Sequence, residues 1–226
     1  MNSISLIFAA LLAVTSTPTG FIDNLEEGFA QAKRENKLVF VCFSGSDWCG
    51  WCKKLEHEVF ADPEFLPLMT NKFELVFIDL PQDRSVLSTW ARTHNEDVVR
   101  EYKIRGFPTC LIMAADGTLL ERTGYQYGGG KKYAEYVDYL VTNRADLEKY
   151  IYPLQRELNT LSMEINRAYE REKEMCLIRF EPRIRQFVGT VKMTEVPPAI
   201  EQSKQELLRG GERYLEILDS IRKAEK

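Results

Sequence analysis

Hydrophobic positions change rhythm along this 226-residue chain. From Phe21 to about residue 142, short apolar runs alternate with amphipathic stretches. Beyond Arg144 the apolar positions step at four and three. The first rhythm predicts strands alternating with helices, the second a helical segment with no strand. Leu25, Phe29 and Ala32 share one face of a helix over Phe21–Asn36, with Asp23 or Asn24 as its cap. Leu38–Phe43 is short enough for a buried central strand, and Phe73–Asp79 is a second. Between them, Asp62-Pro63-Glu64 opens a short helix carrying Phe65, Leu66, Leu68 and Met69. Pro81–Asn95 reads as an insertion with a helical piece around Val86–Arg92, and Asp97–Lys103 as a separate helix. Asp116-Gly117 between Leu111–Ala114 and Leu119–Thr123 marks a hairpin. Gly128-Gly129-Gly130 is expected to be a flexible joint before a last helix, Lys131–Val141. The expected fold is α/β, a mixed central sheet flanked by helices.

Chemistry concentrates in Phe40–Phe60. The central strand gives way to a turn at Ser44-Gly45-Ser46-Asp47, then Trp48-Cys49-Gly50-Trp51-Cys52, then a segment with Leu55, Val59 and Phe60 on one helical face. Two cysteines three apart in a first helical turn hold their α-carbons roughly 5–6 Å apart, a span a disulfide can close. The helix N-terminus favours a thiolate at Cys49, the attacking sulfur; Cys52, deeper in the turn, is the resolving thiol. A zinc site is the competing reading, as is a purely structural disulfide. Zinc wants a second ligand pair, and His57, His94 and the scattered cysteines offer none at finger spacing, so no metal is expected.

A second motif follows at Arg105-Gly106-Phe107-Pro108-Thr109, leading into the apolar Cys110-Leu111-Ile112-Met113. With Trp48–Lys53 and Gly106–Thr109 in this order, the chain resembles the thioredoxin superfamily over about residues 21–142. It is similar to bacterial extracytoplasmic thioredoxin-like proteins with a Ser-Asp-Trp-Cys-x-x-Cys-Lys-Lys-Leu signature, and to the periplasmic domain of the transmembrane disulfide reductase. The resemblance implies a thioredoxin fold with Pro108 cis beside the Cys49–Cys52 pair. It also implies a substrate surface of Trp48, Trp51, Phe107 and Pro108, and no cofactor. The sequence departs from cytoplasmic thioredoxins in carrying Gly50-Trp51 where they have Gly-Pro. Cys42 falls where many of them bury an acid, and no lysine matches that acid's usual partner. By the resemblance Glu56 is a candidate for proton transfer; by helix geometry alone it is equally a solvated residue. Cys42 and Cys110 lie on strands that this fold makes neighbours, and two buried thiols are expected there in preference to a bridge. Cys176, on a charged helix, is a candidate for pairing between chains.

Residues 1–20 carry an apolar stretch from Ile4 to Val14, followed by small and turn residues. About 11 apolar residues are too few to span a bilayer but suit a secretory signal, with Val14 and Ser16 at the cleavage positions. No cysteine follows at once, which argues against a lipoprotein, and the start lacks Lys and Arg. The net charge of −4 argues against a nucleic-acid partner. That charge is uneven: residues 1–143 hold 14 Lys+Arg and 19 Asp+Glu, residues 144–226 hold 16 and 15. The domains expected are a signal at 1–20, a thioredoxin-like domain at 21–143 and a C-terminal helical extension at 144–226.

In that extension Leu147, Ile151, Leu154, Leu158, Leu161, Ile165 and Ala168 form a coiled-coil seam. Pro153 starts or kinks the helix, and Glu172 breaks the phase before Leu177, Phe180, Ile184, Phe187 and Val191 resume it. Pro182 marks a second bend. A loop at Thr194–Pro198 precedes a returning helix with Ile200, Leu207, Tyr214, Leu218 and Ile221, weakened by Gly210-Gly211. The expectation is an antiparallel α-helical hairpin, either an extension that packs on its own domain or a dimerising or partner-binding arm.

Together these readings predict an exported thiol–disulfide oxidoreductase, periplasmic or secreted, leaning to reduction or isomerisation. Its partners are expected to be disulfide-bearing proteins and a thiol redox partner, such as a membrane electron donor. The other class of function is a binding or chaperone-like protein whose helical arm does the work and whose cysteine pair is a staple.

Overall fold

The computed structural model describes residues 16–169 and 173–224. The expected export signal up to residue 15, Glu172 and the Cys176 side chain lie outside the described residues and side chains. The chain divides into two units, residues 1–138 and 139–226.

In the first unit, α1 (Leu25–Glu35) starts where the Asn24 side chain accepts the Glu27 amide at 3.1 Å. It stops at Asn36 in the left-handed conformation. The expected helix is thus trimmed at its start: Ile22 is extended and bridges Val76 in parallel. Four strands follow in chain order, β1 (Leu38–Ser44), β2 (Phe73–Asp79), β3 (Thr109–Met113) and β4 (Leu119–Thr123). They line up as β2-β1-β3-β4, with β1 parallel to β2 and antiparallel to β3, and β3 antiparallel to β4. The sheet is mixed and flanked by helices. β1 and β2 are buried almost throughout, and the apolar runs Leu38–Phe43 and Leu75–Ile78 reflect burial on both faces.

Strand alternation gives the sheet two faces. Val39, Val41, Phe43, Val76, Ile78, Leu111 and Met113 pack with Leu25 and Ala32 of α1 and Val98 of α4 (Thr89–Glu101). On the other face Phe40 meets Phe60 and Tyr133 edge-on, at 6.4 and 6.2 Å between ring centres. These rings come from α2 (Gly50–Leu55) with the wide π turn that continues it, Glu56–Phe60, and from α5 (Gly129–Thr142). The short α3 (Phe65–Met69) adds Phe65 to that layer.

Two expectations are corrected here. The helical piece at Val86–Arg92 and the helix at Asp97–Lys103 are one helix, α4, capped by the Ser88 hydroxyl, which accepts the Ala91 amide at 3.1 Å. A capped start inside the supposed insertion lets the helix run through. The glycine run is no flexible joint either. Gly129 and Gly130 are the first residues of α5, and a Cβ at Gly130 would come within 2.9 Å of Asp62 and Phe65 side-chain atoms. The Gly130 amide donates to Asp62 Oδ2 at 2.8 Å. Glycine is needed there for close approach.

The second unit holds the end of α5, the short α6 (Arg144–Asp146), a π turn at Leu147–Ile151, then α7 (Tyr152–Tyr169), α8 (Lys173–Met193) and α9 (Glu201–Ala224). α8 and α9 form the expected hairpin, tied by Arg222–Glu181 and by Lys192–Glu212 at 3.3 Å. The first arm is not one long helix, however. Instead α7 packs back along the hairpin as a third helix. Glu164 of α7 pairs with Arg183 of α8, and Ser162 of α7 bonds Tyr214 of α9. Leu154, Leu158, Leu161, Ile165, Phe180, Ile184, Phe187, Val191, Leu207, Leu218 and Ile221 are buried. Gly210 and Gly211 do not merely weaken α9: a Cβ on them would meet Leu158 at 2.9 Å and Val188 at 2.8 Å. They are where three helices approach closely.

Candidate active site

Cys49 and Cys52 are joined by a disulfide with their α-carbons 5.2 Å apart. The local backbone accounts for it. β1 ends at Ser44, the chain turns through Gly45–Asp47, and Cys49 is the N-cap residue of α2. The Cys49 amide donates back to the Gly45 carbonyl at 2.8 Å. The Cys49 sulfur accepts the Cys52 amide at 3.2 Å, in the position of a capping oxygen. That donor and the helix dipole favour negative charge on Cys49 once the disulfide opens. Cys49 is 8% exposed and Cys52 1%.

The turn is fastened to the end of β2. Asp79 lies opposite Ser44 in the register, is buried, and accepts from the Ser46 amide at 2.9 Å and hydroxyl at 2.5 Å. Asp47 accepts the amides of Gln82 and Asp83 at 3.0 and 2.9 Å, and these donors hold its carboxyl below the usual carboxylate range. The Trp48 indole donates to the Leu80 carbonyl at 2.8 Å.

Further along the same helix Glu56 is half-buried, and Ser44 Oγ donates to its Oε1 at 3.0 Å. Burial pushes its pKa up from 4.5 to about 7, with nearby Asp79 adding to the rise, while the Ser44 hydrogen bond and Lys53 oppose it. Four residues after Cys52, Glu56 falls on the same helix face, and it can exchange a proton near neutral pH.

The Phe107–Pro108 peptide bond is cis. Thr109, the first residue of β3, pairs with Phe43, so Pro108 lies level with Ser44, where β1 enters the active-site turn. Trp48 and Phe107, both expected at the substrate surface, meet edge-to-face at 5.6 Å. Trp51 points elsewhere, to Tyr125 at 5.5 Å. Trp48 and Trp51 are 46% and 53% exposed, unusual for the largest apolar side chains.

Cys42 and Cys110 are free and buried, and directly opposite across β1 and β3. Burial pushes the Cys42 thiol well above its ordinary value, and its contact with Cys110 adds to this. Such a thiol as Cys42 is inert at neutral pH. Among the described residues no cluster of three or more His, Cys, Asp or Glu is placed to hold a metal. Among them, too, no helix is long and apolar enough to cross a membrane.

The sequence reading missed Ser44 and Asp79, which ended strands, and Lys54, Tyr125 and Tyr127. The available signal for the tyrosines was two aromatics, Tyr125-Gln126-Tyr127, in a polar stretch between the hairpin and a glycine run.

A thioredoxin-like domain family matches residues 25–140. Over 115 residues the chain is 30% identical to the disulfide bond reductase DsbH of Chlamydia pneumoniae, covering 51% of this chain and 69% of that protein. It is 28% identical over 99 residues to the thioredoxin-related protein DsbJ of the same organism, covering 44% of this chain and 28% of that protein. A solved DsbH oxidoreductase structure aligns at 27% identity with a TM-score of 0.49, covering 61% of this chain and 92% of that one.

Proposed function

This chain belongs to the thioredoxin-like family and is a thiol–disulfide oxidoreductase, and from that premise we propose that it reduces or isomerises disulfides of exported proteins. The observation that carries the reading is the Cys49–Cys52 disulfide at the start of α2, with the Cys49 sulfur accepting a backbone amide. In the reduced protein the Cys49 thiolate attacks one sulfur of a substrate disulfide. A mixed disulfide forms and the other substrate sulfur leaves as a thiolate, which takes up a proton. Cys52 then gives up its proton and attacks the Cys49 sulfur. The second substrate thiol is released, and the Cys49–Cys52 disulfide is left to be reduced again by a thiol redox partner. Two electrons pass from the protein to the substrate in each cycle. The pKa of Glu56, about 7, and its spacing four residues after Cys52 support a role as acceptor of the Cys52 proton in the resolving step.

Trp48, Phe107, Trp51 and cis Pro108 supply the substrate surface, with the backbone at Phe107 pairing to an extended chain. The assignment outside the cytosol rests on the apolar segment Ile4–Val14 and on the persistence of substrate disulfides there. A binding protein with a stapling disulfide is the lesser reading, since a staple needs neither an amide donor on its sulfur nor a titrating acid four residues on. Insulin reduction tests the choice: turnover by the parent that disappears in Cys49→Ser supports the enzyme. An inactive parent, or activity surviving in Cys49→Ser, would overturn it.

A further inference from the structure

The rim of the disulfide on the Trp51 side carries a built cluster that the thiol chemistry does not use. Lys54 places its ammonium over three rings at once: Trp51 at 5.3 Å, Tyr125 at 5.3 Å and Tyr127 at 4.7 Å. Tyr125 and Tyr127 meet edge-to-face at 5.0 Å. Glu58 locks the group from below, ion-paired with Lys54 at 3.7 Å and accepting the Tyr125 hydroxyl. Desolvation and Glu58 push that hydroxyl up to about 12, so it remains a donor. The group is preorganised, yet Trp51 and Tyr127 stay 53% and 71% exposed.

This wall is continuous with the substrate surface proposed above. Trp51 lies between the two cysteines in sequence. Gly124, which leads into Tyr125, is packed so closely that a Cβ there would lie 3.3 Å from the Pro108 carbonyl. A polypeptide laid along the Phe107–Pro108 backbone with its disulfide at Cys49 therefore presents a neighbouring side chain to these rings. The charge decides what side chain suits them. Lys54 is countered by Glu58 and covered by ring faces, so little positive charge is left to attract an acidic segment. The aromatic surface that Trp51 and Tyr127 leave exposed instead rewards apolar contact.

We infer that Tyr125 and Tyr127, with Trp51, form a pocket for the residue beside a substrate's disulfide cysteine, selecting polypeptides that carry an aromatic or aliphatic side chain there. The inference rests on the oxidoreductase reading. Its occupant is a substrate polypeptide, and Tyr125 and Tyr127 determine specificity without taking part in the chemistry.

The test is reduction of two synthetic peptides, each closed by an intrachain disulfide and differing only in Phe or Ser beside the cysteines. Hydroxyethyl disulfide, which has no such side chain, is the reference. The parent is expected to favour the Phe peptide in kcat/KM by about five- to tenfold, the size of one aromatic contact. Tyr127→Ala is expected to bring the ratio within about twofold, and Tyr127→Phe to keep it, because the ring and not the hydroxyl faces the substrate. Equal rates on the two peptides, or a preference that survives Tyr127→Ala, would overturn the inference while turnover of hydroxyethyl disulfide left the oxidoreductase reading standing. A parent inactive on all three would overturn both.

Discussion

The Ser44 hydroxyl donates a 3.0 Å hydrogen bond to Oε1 of Glu56, joining the last residue of β1 to the helix that carries the reactive pair. This bond stabilises the carboxylate, yet desolvation wins and the pKa stands at about 7. An acid four residues after Cys52 thus titrates near neutral pH. Glu56→Gln keeps an acceptor for Ser44 but cannot exchange a proton. Its resolving step is expected to slow about 10- to 100-fold, the lower range for one positioned acid–base group. The pH–rate profile should lose its inflection near pH 7. A profile unchanged from the parent would show that Glu56 carries no proton.

The same carboxyl sets a stability prediction. Its folded pKa of about 7 exceeds the unfolded value of 4.5, so between these pH values the native state holds a proton that the unfolded chain has released. Stability therefore falls as pH rises through that window, and the loss is complete above the folded pKa. In Glu56→Gln that dependence should vanish, leaving the variant more stable than the parent at pH 8. Urea melts at pH 5 and pH 8 would reveal it.

The roles of the two thiols separate by alkylation and trapping. At mildly acidic pH iodoacetamide should modify Cys49 before Cys52, because Cys49 has the amide donor and the greater exposure. Cys52→Ser should accumulate mixed disulfides on Cys49, since nothing resolves them. Faster modification of Cys52 would reverse the assignment.

The redox direction follows from what surrounds Cys49. No histidine lies between the cysteines, and Trp51 can neither add positive charge nor accept a hydrogen bond from a thiol. A reduction potential well below the strongly oxidising value of about −120 mV is expected, from equilibration with glutathione or dithiothreitol. A value near −120 mV would make the protein an oxidant.

In the second unit, Gly211→Val gains helix propensity but drives a branched side chain into Val188 and Phe187. Overpacking costs about 1–3 kcal/mol, more than the propensity gained, so thermal unfolding should come at lower temperature. The third helix also bears on assembly. With α7 covering the hairpin's seam, dimerisation is not needed to bury it, and light scattering on the full chain should report a monomer. A dimer that becomes an active monomer when the chain ends near Asn143 would contradict this.

How far the sequence could be read depended on the length over which each interaction acts. β1 and β2 announced themselves because unbroken apolar runs such as Leu38–Phe43 are local patterns. Cys49, Cys52 and Pro108 were legible as motifs whose geometry is set within a few residues. The slipped phase of the apolar seam was legible, but whether a helix bends or folds back depends on distant faces such as Leu158 against Gly210. Gly130 looked like a joint because its reason, Asp62, lies 68 residues earlier. The aromatic wall was hidden for the same cause: Trp51 and Tyr125 lie 74 positions apart in the sequence and meet only in the fold.

The tether between the Trp48 indole and the Leu80 carbonyl has a consequence for engineering this protein. Together with Asp47 on the amides of Gln82 and Asp83, it makes the segment after β2 a jig for the reactive turn. Loop length there sets the tilt of the tryptophan beside the attacking sulfur. Exchanging residues 80–83 between relatives would therefore transplant a rim geometry as well as a connection. A graft of the Trp-Cys-Gly-Trp-Cys motif into another scaffold would need this strip of backbone carried with it.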